Sequence, residues 1–129
     1  MVITEDFRMW DRENEVMKYD LECIYCGVGK RLEYIYMQYT GRRDMLGQKV
    51  YEKDIVKAIV KYVEGMPLNW EVKTKEVIGV VEWNEEGYWT LKILDDKYMK
   101  EAGFFTFKEI VKVLGNVFEN PEFLKGEER

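Results

Sequence analysis

Three groups of residues in this chain have types and spacings that could carry chemistry. Cys23-Ile24-Tyr25-Cys26 is a C-x-x-C pair, the spacing of a redox dithiol or of half a zinc site. A structural zinc takes four Cys or His ligands, and the chain has two Cys and no His. A thioredoxin-like pair would sit at a helix N-terminus, whereas Gly27-Val28-Gly29 follows here. The pair therefore reads as two reduced thiols in or near a strand, with no zinc expected in the monomer. The second group is Glu82, Glu85 and Glu86 with Asp95-Asp96. Such carboxylates can hold a hard cation such as Mg²⁺, but the spacing fits no loop motif, and they read as surface groups at turns. The third is a basic segment, 30–61, with Lys30, Arg31, Arg42, Arg43, Lys49, Lys53, Lys57 and Lys61 interleaved with Tyr34, Tyr36 and Tyr39. Cations beside aromatics can bind single-stranded nucleic acid through phosphate contact and base stacking. Arg42 and Arg43 are the nucleic-acid-binding candidates, being adjacent, in an expected turn, and suited to bidentate phosphate contact. The alternative is a solvated strand face on which the tyrosines pack.

What is missing bounds the function more sharply. The chain has no His and no Ser. That rules out a Ser-His-Asp triad, a Cys-His pair and a His-ligated metal. General acid–base work near neutral pH would have to use a displaced carboxylate, Lys, Tyr or Cys. No catalytic residue is assigned and no cofactor is expected. The net charge is -5, divided as -4 over residues 1–22, +4 over 23–62 and -5 over 63–129. A nonspecific nucleic-acid binder usually carries excess positive charge over the whole domain. The N-terminus turns acidic at once and no run reaches membrane-spanning length, so the expectation is a soluble, cytoplasmic protein without a membrane partner. With 129 residues, 47% of them hydrophobic, one domain with a real core is expected.

The elements that would position these groups read mainly as strands. Phe7 to Tyr19 reads as a hairpin turning over Asp11–Glu15. Leu21 to Tyr25 and Leu32 to Tyr39 read as strands, and Asp44–Gln48 as a tight reversal with Gly47 at positive φ. Residues 54–63 fit two periods. Val56, Ala58, Val60 and Tyr62 share a strand face, and Ile55, Val56, Ile59, Val60 and Val63 form a helical stripe. Residues 64–76 read as an irregular excursion. Val77–Trp83 and Tyr88–Leu94 form the clearest hairpin, with Trp83 and Trp89 flanking its turn and at least one of them expected to be mostly buried. Asp96–Ala102 could form a short helix ended by Gly103. Thr106-Phe107-Lys108-Glu109 has capping-box spacing for another.

Two blocks carry a family resemblance. The first is Met37-Gln38-Tyr39-Thr40-Gly41 followed by Gln48-Lys49-Val50-Tyr51-Glu52-Lys53-Asp54-Ile55-Val56. The second is Val113-Leu114-Gly115-Asn116-Val117-Phe118-Glu119-Asn120-Pro121-Glu122-Phe123-Leu124. With Arg8-Met9-Trp10-Asp11 they resemble the YopX family of small phage- and prophage-encoded proteins. The resemblance implies an α+β, mainly β fold, with a C-terminal SH3-like barrel and a smaller N-terminal α+β subdomain, divided near 1–50 and 51–129. It also implies strands at 54–63 and around 111–118, a phage or prophage origin, and self-association to a homo-oligomer. It implies no catalytic residues. Lys53 stands where such proteins usually carry Gly, and because Lys adopts positive φ only at a cost, this departure bears on whether the backbone here keeps the family's geometry. The expected function is a non-catalytic protein-interaction module acting on a host or phage protein. The alternative is a nucleic-acid-binding small β-barrel using the basic segment 30–61.

Overall fold

The computed structural model describes residues 7–19, 34–65, 69–96, 99, 101–103 and 107–124. The Cys23–Cys26 pair, Lys30, Arg31 and the strand expected at 21–25 lie outside them. Strand β1 (Phe7–Asp11) turns into β2 (Val16–Lys18). The Asp11 carboxylate makes that turn by accepting the Glu13 and Asn14 amides at 3.0 and 3.1 Å and the Asn14 side chain at 2.8 Å. These bonds, the side-chain one foremost, hold the Asp11 carboxyl below its usual range. Strand β3 (Tyr34–Arg43) and β4 (Lys49–Tyr51) complete an antiparallel sheet of order β2-β1-β3-β4. Gly41, at φ 85°, sits in the register shift between Tyr39 and Arg43, where a bulge calls for positive φ.

The second sheet holds β5 (Asp54–Glu64), β6 (Glu71–Trp83), β7 (Trp89–Ile93), β8 (Glu101–Gly103) and β9 (Phe107–Asn116), in the order β8-β7-β6-β5-β9. Three register shifts between β5 and β9 bend it into half a barrel, because each extra residue kinks its strand. Val56, Ala58, Val60, Val77, Val81, Leu91, Ile93 and Ile110 fill the concave side together with Val50 of the first sheet. This is the alternating pattern that a pleated, one-sided core requires. Trp89 is partly buried against that core, while its edge-to-face partner Trp83, 4.9 Å away, is half exposed.

Several expectations change. Among the described residues there is no α-helix, only a 3-10 turn at Pro121–Leu124, so the fold is almost entirely β and not α+β. One expectation holds: residues 54–63 are the strand that the resemblance implies, because β6 and β9 flank both edges. That environment outweighs a helical stripe that fits the local sequence equally well. The capping-box spacing after Thr106 starts no helix, since 107–116 pairs with β5 instead. Residues 101 and 102, the end of the short helix that 96–102 could form, instead make β8 together with Gly103. The excursion at 64–76 is regular from Glu71 onward, pairing Glu64 with Glu71 and Val63 with Val72. Its polar, exposed positions gave no alternation to read.

Candidate functional site

The two sheets meet at one buried ion pair. All of Arg8, Met9, Trp10 and Asp11 are buried, so β1 is covered on both faces. Arg8 donates through Nη2 to Asp54 Oδ1 at 2.7 Å and to the Glu52 carbonyl at 3.1 Å. Its guanidinium lies 4.8 Å from the centre of the Tyr51 ring. The other Asp54 oxygen accepts the Tyr51 amide at 2.8 Å. Arg8 Nε is buried without a hydrogen-bond partner. Burial pushes the Asp54 carboxyl above its ordinary value, against the pull of Arg8 and the Tyr51 amide. Burial also raises the Tyr51 hydroxyl, helped by Tyr19.

The backbone around the pair is set by unusual residues. Lys53 adopts φ 71°, a left-handed conformation that costs a non-Gly residue about 1 kcal/mol or more. It is held there by three contacts. Its amide donates to the Val81 carbonyl at 2.7 Å, its carbonyl accepts from Val117 at 3.1 Å, and its ammonium reaches Glu82 at 3.4 Å. Asn116, opposite Asp54 in the ladder, caps the following turn by accepting the Phe118 and Glu119 amides at 3.0 and 2.9 Å. Gly115 has no room for a Cβ, which would run into the Asn120 side chain. Phe118 stacks on Trp10 at 5.4 Å. All three sequence blocks that carry the resemblance therefore meet here, although they are far apart in the chain. They enclose an open, polar cleft of about 400 Å³ lined by Arg8, Gln48, Asp54, Asn116, Glu119 and Asn120, among others. Its charged groups are already engaged: Arg8 with Asp54, and Glu119 with the Asn116 side chain at 2.7 Å.

A second feature lies at the far end of the half barrel. Among the described residues, β9 pairs with β5 no further than Val60 and β7 pairs with β6 no further than Gly79, so beyond Val60 and before Val77 the described ladder is a two-stranded arm of β5 and β6. On the arm's outer face Val63 and Val72 stand opposite each other, 58% and 71% exposed, with Trp70 beside them at 67%. Lys73 bridges Glu64 at 3.3 Å and Glu71 at 3.8 Å, and Lys75 reaches Asp96 at 2.5 Å.

The expected nucleic-acid residues lie elsewhere. Arg42 and Arg43 are the last residues of β3, not part of a turn, because the bulge at Gly41 lets the strand run on. Arg43 faces Lys49 across the ladder and donates to the Gly47 carbonyl at 2.8 Å. Of the other described cations, Lys53 and Lys57 pair with Glu82 and Glu76. The acidic cluster disperses. Glu82 pairs with Lys53, Asp95 accepts the Ile78 amide, and Asp96 pairs with Lys75. Among the described residues, no group of three or more His, Cys, Asp or Glu is disposed to hold a metal. Nor does any helix there have the length and apolarity to cross a membrane.

Fold and site together define a class: an antiparallel two-sheet β protein whose halves are locked by a buried Arg–Asp pair beside a polar cleft. A family model described as YopX protein matches residues 22–125, and the chain belongs to the YopX family. Arg8-Met9-Trp10-Asp11 falls outside that match. The crystal structure of protein EF1440 from Enterococcus faecalis is similar over 92% of this chain and 96% of that one, with a TM-score of 0.50 and 16% sequence identity. That likeness concerns the fold. A comparison with curated proteins finds no match.

Proposed function

We propose that this chain is a non-catalytic protein-interaction module of phage or prophage origin. It works in the bacterial cytoplasm and engages a host or phage protein through the β5–β6 arm. Its half barrel is read as an incompletely closed SH3-like barrel, with the N-terminal sheet as the smaller subdomain. The carrying observation is the exposed Val63–Val72–Trp70 surface on the β5–β6 arm. Contiguous exposed apolar side chains rimmed by charge are the usual mark of a protein contact, and Trp is enriched among the residues that dominate binding. The polar cleft supports the same reading, because its charged groups are engaged with one another.

The second reading is nucleic-acid binding through the β3–β4 hairpin, where Arg42, Arg43 and Lys49 gather beside Tyr39, with Lys49 5.1 Å from that ring. One experiment separates the two. Affinity capture from host lysate, with and without nuclease, is run on the native chain and on Trp70→Lys and Arg42→Ala/Arg43→Ala variants. A nuclease-resistant complex lost only in Trp70→Lys is expected. For single-stranded nucleic acid, affinity no tighter than roughly 10⁻⁴–10⁻⁶ M at physiological salt is expected. A nanomolar complex, steeply salt-dependent and abolished by the double Arg change, would overturn the protein-partner reading.

A further inference from the structure

The outer edge of β6 fits a second copy of itself, and we infer that the chain forms a two-fold dimer by antiparallel pairing of β6 with β6 about Val72. This rests on the edge and its register, so it stands or falls separately from the apolar face proposed above to meet a partner. The first support is main-chain direction. Ile78 turns both its N–H and its C=O away from β5, toward Asp95 Oδ1 and the Leu94 amide. The β5–β6 ladder runs without a register shift, and every second residue of a strand points its polar groups the same way. Val72 and Thr74 therefore also present N–H and C=O outward. Among the described residues no strand pairs with β6 on that side before Gly79.

The second support is charge. A two-fold axis normal to the sheet pairs residues of equal parity, so with Val72 on the axis Glu71 lies opposite Lys73 of the second copy, and Lys73 opposite its Glu71. Trp70 then meets Thr74 of the second copy, and the main-chain groups of Val72 bond to their own equivalents. A Lys on a free edge ordinarily discourages strand addition. Here the symmetry brings a carboxylate to each one, and cross-strand pairs of opposite charge favour pairing, whereas like pairs oppose it. Moving the axis to Lys73 would set the two lysines against each other, so the charges select a single register. A lone two-stranded arm is marginal in water. The dimer makes it one half of a four-stranded ribbon, β5-β6-β6-β5, and joins the two Val63–Val72 surfaces into one stripe.

The test is a charge exchange followed by sedimentation velocity. The native chain is expected to dimerise. Glu71→Lys alone and Lys73→Glu alone place like charges opposite each other twice per dimer, and each should weaken association about tenfold or more. An equimolar mixture of the two single variants should recover the native affinity as a heterodimer, and so should Glu71→Lys/Lys73→Glu in one chain. Thermal melts of each variant report whether the arm itself has been disturbed, and recovery on mixing cannot come from damaged monomers. A native chain that stays monomeric at about 100 μM, weaker than which pairing would carry little free energy, overturns the inference. So does a dimer indifferent to these changes, or single variants that fail to recover on mixing.

Discussion

Asp54→Ala is expected to destabilise the chain by about 3–5 kcal/mol, as breaking one side of a buried ion pair typically does. Arg8 has a relative exposure of 3%, so its charge would remain away from water without its partner. Replacing both residues together, as Arg8→Met/Asp54→Leu, should cost far less than the two single changes added, because no charge is then stranded. The pH dependence gives a sharper signature. Burial holds the Asp54 carboxyl above its ordinary 3.8, and Arg8 is the foremost influence pulling it back. In Arg8→Met the carboxyl rises further. A carboxyl with a raised folded pKa contributes its full stability below the unfolded value, and that contribution is lost as pH rises through the folded pKa. The Arg8→Met penalty should therefore be largest near pH 7 and shrink toward about pH 4. Urea unfolding at several pH values reads this directly. A penalty under about 1 kcal/mol, or one independent of pH, would show that the pair does not join the sheets.

Trp10→Ala should cost a similar amount, about 3–5 kcal/mol. Trp10 is buried and lies 5.4 Å from Phe118 with the rings 16° from parallel, so the change removes both its own burial and a stack. Phe118 is only partly buried, and Phe118→Ala should cost less. The double-mutant cycle between them should give a coupling of about 0.5–1.5 kcal/mol, the usual worth of an aromatic pair beyond its buried area. A coupling near zero would mean that the turn after β9 merely lies against β1.

Much of the fold could be read in advance because its hairpins are local. Trp89, Leu91 and Ile93 alternate beside Asn84–Gly87, and Phe7–Trp10 precedes a polar turn. Both patterns are complete within about a dozen residues. Residues 54–63 were undecidable alone, since what makes them a strand is two neighbours, one of them some fifty residues on. Residues 71–76, part of the stretch 64–76 that reads as irregular, hide their strand for the opposite reason, having no buried face to impose a pattern. The lock was invisible as a contact: nothing in the sequence joins Arg8 to Asp54, 46 positions away, although both fell inside blocks singled out by resemblance. Arg42 and Arg43 looked like turn residues because Gly41 precedes them, and a glycine in a bulge reads the same as a glycine in a turn. The arm is not legible in the sequence, because an exposed apolar side chain on an irregular-looking stretch carries no signal of its own.

The seal on β9 has a consequence in time. The turn after β3 covers the outer side of that strand: the Met45 amide donates to the Ile110 carbonyl at 3.0 Å, and the Asp44 carboxylate accepts the Val113 amide, 69 residues later, at 3.0 Å. A ribosome adds roughly 5–20 residues per second, so Asp44 and the bare side of β5 wait several seconds for their partners to be made. Pairings this distant also fold slowly once the chain is complete. Throughout that interval the nascent chain carries a valine-rich strand with one unpaired edge, the kind of edge that recruits other chains. The most delicate moment for this protein therefore falls in its synthesis, just before residues 107–116 emerge, and a chain broken off there would be expected to aggregate.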